Sequence, residues 1–367
     1  MKTPVRVVSV FFLLVFLVVI AAHYPAIRVF LNPSAATTTH TQEAQSGKTQ
    51  LAEQNRIVVS VPGPRNLSYL PIDLIPAIGA DKAENVDLRI MHTGGGAVAL
   101  NNMVKHAADF AVAGVPAAMS LRQNGGDVVV IAPVDDAPLF VLMVRIGLKG
   151  SVARIADLKG KVIGVNTSTK SSKTTSQQLG ELLLKSGGVA IDAVRIVPAG
   201  QSWIEQSSLI ISGQADAIVG DEPFASRLLA ENKVFFLAHL AQPETIRDIQ
   251  GGHFLHAALE TRSDVIANEP AKVEKMVHML KQSLAWITSH TPEQVVDTLG
   301  VTEQEERAAL ILSLQKYPKA FSHDGKFSSQ QLKETDIFFH AGLEGNAVQQ
   351  LLNIEQMLDD RWAGRIE

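Results

Sequence analysis

The chain contains no cysteine. Disulfides, thiolate metal sites and a cysteine nucleophile are therefore excluded, as is a lipid anchor carried on an acylated cysteine. The chain also lacks the Gly-x-Ser-x-Gly elbow of serine hydrolases, the Gly-x4-Gly-Lys phosphate loop and the His-Glu-x-x-His zinc helix. There is no repeat of short period. No basic patch is interleaved with aromatics for nucleic acid, and a formal net charge of −4 offers polyanions no general surface. No constellation pairs a nucleophile with a base. The expectation is a protein that is not an enzyme, carries no cofactor or metal and binds no nucleic acid. What is present is the composition of a globular chain, 46% hydrophobic and 19% charged. Its 367 residues leave room for two domains.

Lys2 and Arg6 precede an apolar run from Val7 to Ala22, broken only by Ser9. The positive flank keeps the N-terminus inside and sends the rest across the membrane. The run is long for a signal-peptide core and short for a spanning helix. Two readings stand for residues 1–31: a cleaved export signal, with cleavage after Ala22 or near Ala36, or an uncleaved membrane anchor. Residues 32–55 are rich in Ser, Thr, Gln and Ala without apolar periodicity and read as a flexible linker. The body is thus expected in the periplasm or on the outer face of the cytoplasmic membrane.

Within the body, Arg56–Val61 reads as a strand, followed by the loop Pro62-Gly63-Pro64-Arg65-Asn66. A helix is expected over Tyr69–Ile78 despite Pro71 and Pro76, and a second strand over Val86–Ile90. Gly94-Gly95-Gly96 then leads into a helix over Ala97–His106. Those glycines serve either as an anion-holding nest or as a tight turn needing positive φ. Asp109–Ala113 is a third strand, and Gly114-Val115-Pro116 opens a helix with proline in its first turn. Val128–Ala132 is a fourth strand. Asp135-Asp136 is either a solvated turn or an acidic contribution to a site. Leu139–Val144 is expected to cross into a second domain.

The densest stretch runs from Asp157 to Pro223. Lys161–Val165 is a short β-branched strand. Asn166–Thr175 follows with no apolar residue and includes Ser168, Thr169, Lys170, Ser171 and Ser172. A strand feeding a hydroxyl-rich helix start gathers unpaired N–H groups beside Ser/Thr side chains, more than capping alone requires. A helix over Gln177–Lys185 and strands over Val194–Val197 and Ala215–Val219 complete a β–α–β–α–β pattern. That pattern predicts parallel strands with ligands at their carboxyl ends. Trp203 either stacks on a ligand or covers the domain core. Asp221 and Glu222 either face a ligand or serve the dipole of the helix Phe224–Glu231. His253 and His256 are three apart in a predicted returning strand, so they point to opposite faces and do not chelate one ion. Helices are expected over Pro270–Ile287, Pro292–Leu299, Glu303–Leu314, Ser328–Ala341 and Ala347–Leu358.

"DLKGKVIGVNTSTKSS" followed by "GQADAIVGDEP" resembles the substrate-binding proteins of ABC importers for sulfonates, taurine, nitrate and thiamine-precursor pyrimidines. Gly213, Ala215, Asp216, Ala217, Glu222 and Pro223 keep that family's second motif, and Asp221 stands where an aromatic is common. Gly114, Pro116 and Ala117 match a further family element.

The resemblance implies a two-lobed α/β periplasmic-binding-protein fold of type II. Lobe 1 would comprise residues 56–145 with 251–367 and lobe 2 residues 146–250. A small-molecule ligand would lie in the cleft between them, and hinge closure would bury it. The partners implied are an ABC permease with its ATPase, and the membrane if the N-terminal segment is kept. The expected ligand-binding residues are Arg65, Asn66, Gly94, Gly95, Gly96, Val115, Pro116, Asp136, Ser168, Thr169, Lys170, Ser171, Ser172, Trp203, Asp221 and Glu222. Arg65, Lys170 and Lys173 favour a sulfonate-like anion, which is the expectation carried forward. Asp135, Asp136, Asp221 and Glu222 favour an amine or pyrimidine. A membrane-tethered sensor or adaptor with the same fold is the other reading.

Overall fold

A computed structural model describes residues 55–166, 173–247, 249–343 and 352–367. The N-terminal apolar run, linker residues 32–54 and the positions Ser168, Thr169, Lys170, Ser171 and Ser172 lie outside the described residues. The chain opens with β1 (Arg56–Val61), α1 (Leu70–Ala77), β2 (Asp87–His92), α2 (Gly96–Val104), β3 (Phe110–Gly114), α3 (Val115–Gln123) and β4 (Val129–Pro133). It then crosses to a second sheet. There it forms β5 (Phe140–Arg145), β6 (Val162–Val165), α4 (Thr175–Ser186), β7 (Arg195–Pro198), α5 (Trp203–Ile211), β8 (Ala217–Asp221), α6 (Phe224–Ala230) and β9 (Val234–His239). After returning it forms β10 (Ala257–Thr261), α7 (Pro270–Ser289), α8 (Pro292–Thr298), α9 (Gln304–Lys316), β11 (Phe327–Ser328), α10 (Ser329–Ala341) and β12 (Arg365–Ile366).

The first sheet has the order β2-β1-β3-β10-β4 and the second β7-β6-β8-β5-β9. In the first, β1 runs parallel to β2 and β3, while β10 is antiparallel to β3 and β4. In the second, β6 is parallel to β7 and β8, and β5 is antiparallel to β8 and β9. Each sheet therefore carries one strand donated by a crossing segment, running against the others. No helix among the described residues is long and apolar enough to cross a membrane.

Phe140–Arg145, expected to finish lobe 1, belongs to the second sheet between β8 and β9. Its sequence explains why. Phe140, Leu142 and Val144 enter the core on one face of that sheet, and Val141 and Met143 enter the core on the other. A strand in the middle of a covered sheet is apolar on both faces and reads as an unbroken run. The crossing is residues 134–139. The helix expected over Ala347–Leu358 also differs. Its first part lies outside the described residues, and Ile354–Met357 is a single 3-10 turn with both end residues buried. Beyond it Leu358 bridges Val130, and β12 pairs with β11.

Glu260 sits in the middle of β10, fully buried, with one carboxyl oxygen accepting the Ala113 N–H at 3.0 Å. Burial pushes its pKa well above the ordinary carboxylate value. The folded protein therefore holds the proton more tightly than the unfolded chain. Stability is complete below about pH 4.5 and falls as pH rises towards the folded value. Glu260→Gln keeps an acceptor for Ala113 and has nothing to ionise. Its unfolding free energy is expected to match that of the wild type at pH 4 and exceed it at pH 8, as read by urea titration at the two values.

Candidate functional site

The carboxyl ends of β1, β6, β7 and β8 meet along the seam between the two sheets. This is where the crevice of an α/β sheet takes ligands. Asn66, in the loop after β1, is fully buried. Its Oδ1 accepts the Ser68 N–H at 3.0 Å, capping the short turn Leu67–Tyr69. That fixes the amide orientation, so Nδ2 faces the other lobe. There it donates to the Asp221 carboxylate and, at 3.4 Å, to Gln201 Oε1. Leu67 N–H reaches across the same seam to the Glu222 carbonyl at 3.0 Å.

On the second lobe, Asn166 ends β6. Its carbonyl accepts from Gln201 Nε2 at 2.9 Å, and its Oδ1 accepts from Gln206 Nε2 at 3.2 Å. Gln206 stands on the buried face of α5 with no exposure at all. Asp221 closes β8 and is likewise buried. Burial raises its pKa from 3.8 to about 6, against the pull of the Asn66 hydrogen bond and of the nearby His256 ring. Four fully buried side-chain atoms along this seam have no hydrogen-bond partner among the described residues: Asp221 Oδ1, Gln206 Oε1, Asn166 Nδ2 and Thr175 Oγ1. Buried polar atoms are normally paired, so such a cluster marks a place built for a polar guest.

A second buried group lies at the base of the seam. Asp135 follows β4 and accepts the Ala257 N–H at 2.9 Å and His256 Nδ1 at 3.1 Å. Burial raises the Asp135 pKa, while His256 opposes the shift. The His256 ring packs edge-on against Phe140, with centroids 4.6 Å apart. Tyr69 is buried beside it, its hydroxyl pKa raised first by burial and then by Asp221, Asp135 and Glu260. The Asp135–His256 pair has the geometry that orients a general base. No hydroxyl among the described residues is hydrogen-bonded to its remaining ring nitrogen.

The expected site residues divide. Asn66 and Asp221 face the seam. Val115 and Pro116 open α3 at its edge, and the Pro116 carbonyl accepts Gln178 Nε2 from the second lobe at 3.2 Å. Gly94, with φ of 78°, Gly95 and Gly96 form the turn into α2. A Cβ on Gly96 would meet Ala113 and Pro62 at 3.6 and 3.9 Å, so the turn borders the loop after β1.

Arg65 turns elsewhere, donating to the Leu299 carbonyl at 3.1 Å and lying 3.8 Å from Glu306. Lys173 pairs with Glu181. Trp203 is half-buried on the second core, with the Arg227 guanidinium 4.0 Å above its ring. Of its two readings the structure favours the core cover. Glu222 is satisfied by Ser226, His239 and Tyr317. Asp136 lines a surface pocket of about 500 Å³ with His253, His323 and Asp324. Burial, then Asp135 and Asp324, raises its pKa to about 6.

Gln206 and Tyr69 are seam residues that motif reading does not single out, and it takes up His256 only as half of a His-x-x-His pair. A glutamine on the apolar stripe of α5, beside Ile210, was the available clue.

A family model described as NMT1/THI5 like matches residues 82–294, more than half of the chain. No curated protein matches the sequence. Among solved structures, a protein from Bordetella bronchiseptica superposes with a TM-score of 0.75 at 19% identity, covering 84% of this chain and 96% of its own. The alkanesulfonate-binding protein of Xanthomonas axonopodis pv. citri, bound to MOPS, gives 0.65 at 15% identity, over 83% of this chain and 98% of its own. A desulfurization enzyme gives 0.51 at 17% identity, over 84% of this chain and 97% of its own. The fold is thus shared by a binding protein and an enzyme. With two strand-crossed α/β sheets meeting at a polar seam, the chain has the periplasmic-binding-protein fold and belongs to the NMT1/THI5-like family.

Proposed function

We propose that this chain is the exported, non-enzymatic solute-binding component of an ABC import system, and that its ligand lies in the seam and presents N–H groups. An amine, an amidine or an amino-substituted heterocycle has that chemistry. The observation that carries this reading is Asp221. A carboxylate taken out of water without a cation is costly, and the group responds by raising its pKa. A ligand ammonium or amidinium would pair with the carboxylate and lower that pKa, and Gln206 Oε1 beside it would accept a second N–H. The cations that favoured a sulfonate-like anion are engaged elsewhere in the case of Arg65 and Lys173. An anion entering the seam would meet Asp221 and Asp135 as like charges. Binding would close the two lobes, and the closed form would dock on the permease at the outer face of the membrane.

Thermal unfolding of the purified body tests this with alkylamines, amidines and aminopyrimidines set against methanesulfonate and nitrate at matched ionic strength. A native-state ligand at about a hundred times its dissociation constant adds roughly 2.7 kcal/mol. A concentration-dependent rise confined to the N–H compounds is the expected result. A rise confined to sulfonates or nitrate would return the site to an anion and to the hydroxyl-rich run with Lys170. Accumulation of a new compound during incubation would make the chain an enzyme.

A further inference from the structure

We infer that α9 is a clasp that grips the second lobe at both of its ends and so sets how readily the two lobes close. The helix is rooted in the first lobe through Leu310 and Leu314. At its N-terminus Glu303 caps the helix by accepting the Glu305 and Glu306 N–H groups. The same carboxylate receives both arms of the Arg227 guanidinium, at 3.0 and 3.2 Å, from α6 of the second lobe. Arg227 is held for this by Glu231 at 3.2 Å and by the Trp203 ring beneath it. A planar fork meeting a carboxylate in this way has one geometry, so it reports a defined approach of the two lobes.

At the other end Tyr317 inserts its hydroxyl between His239 and Glu222, which are both buried in the second lobe. The protonation pattern here follows from geometry. The Ala241 N–H donates to His239 Nδ1 at 3.0 Å, so that nitrogen carries no proton. The ring proton is on Nε2, 2.5 Å from the Tyr317 oxygen and 3.2 Å from Glu222 Oε1. The Tyr317 hydroxyl then donates to Glu222 Oε1 at 3.3 Å. Every member of the triad is committed, and only Tyr317 comes from the first lobe. Glu303 and Tyr317, the first-lobe half of each grip, lie beyond the 82–294 match, and the side-chain oxygen of Glu222 that takes part is not the carbonyl that faces the seam.

The clasp acts on ligand only through the closed fraction, since apparent affinity falls by the factor by which the binding-competent state is depleted. That consequence rests on the proposed function, whereas the clasp itself does not. The absence of cysteine allows Lys105→Cys in the first lobe and Ile211→Cys in the second to carry a pair of spin labels. Both positions are exposed.

The double substitution Tyr317→Phe with Glu303→Gln keeps the ring and one of the two capping acceptors, and removes the Tyr317 hydroxyl together with the charge and the second oxygen that Arg227 grips. Without any ligand, the label distance is expected to shift from one short population to a longer, broader one. Each single variant should give an intermediate shift, and a compound that binds the wild type should bind the double variant at least tenfold more weakly. Glu303→Gln alone, at a partly exposed carboxylate, keeps the test open should the double variant fail to fold. Superimposable distance distributions in wild type and variants would overturn the inference, whatever the ligand proves to be.

Discussion

Replacing Asp221 with asparagine is expected to make the protein more stable at neutral pH and unable to retain a cationic ligand. The two effects have one cause. The folded state raises the Asp221 pKa from 3.8 to about 6, so the native protein binds a proton more tightly than the unfolded chain over that interval. Stability is complete below pH 4 and declines as pH rises to about 6, by about 3 kcal/mol. Asparagine cannot ionise, and its carbonyl can still accept from Asn66 Nδ2. The variant should therefore equal the wild type at pH 4 and exceed it by up to about 3 kcal/mol at pH 7.5. Ligand-induced stabilisation should vanish at the same time, because the charge that attracts an ammonium is gone. Chemical unfolding at the two pH values, with and without ligand, reads both. A variant less stable than the wild type at pH 7.5 would mean that Asp221 is held ionised by a partner cation. A more stable variant that still gained stability from an amine would remove Asp221 from recognition.

The strands were legible because burial and periodicity agree along them. Arg56–Val61 and Val162–Val165 are bounded by turn residues and end where the structure ends them. Val234–His239 is absent from the sequence-based expectations although it has strand composition. It is an edge strand, and the turn before it, with Asn232 at φ of 53°, reads equally well as the plain end of the preceding helix. The site was legible in part. Asn66 and Asp221 follow strand ends, where the fold places ligands whatever the side chain. Asp135 and Asp136 could not be told apart, because successive residues of an extended segment face opposite ways and a dipeptide does not say which way is inward. Trp203 was ambiguous for a related reason. Its position at the start of α5 is visible in the sequence, but the apolar cluster it packs against and the Arg227 guanidinium over its ring come from other elements.

Placing methyl groups on Gly63 and Gly114 is expected to hold the lobes apart. Both glycines lie where the first lobe touches the second. A Cβ on Gly114 would stand 2.1 Å from Thr175 Oγ1 and 3.0 Å from Thr175 Cβ, and one on Gly63 would stand 2.5 Å from the Gln201 carbonyl oxygen. Neither contact can be relieved by swinging the end of a flexible chain, since one partner is backbone and the other is a β-branched residue in the first turn of α4. Gly114 has φ of −74° and ψ of 124°, a conformation that alanine adopts freely. The first lobe alone therefore accommodates the methyl group, apart from a 3.3 Å approach to the His256 ring, and the severe clash belongs to the closed arrangement. Overpacking of this kind costs about 1–3 kcal/mol at each site. Charged against closure, that weakens ligand binding by roughly tenfold to a hundredfold per substitution. Small-angle scattering should show Gly63→Ala with Gly114→Ala as a more extended particle, while the amide exchange protection of the sheet cores stays at the wild-type level. If the double variant bound ligand with wild-type affinity, the seam between β1, β3 and α4 would not be the surface on which the lobes close.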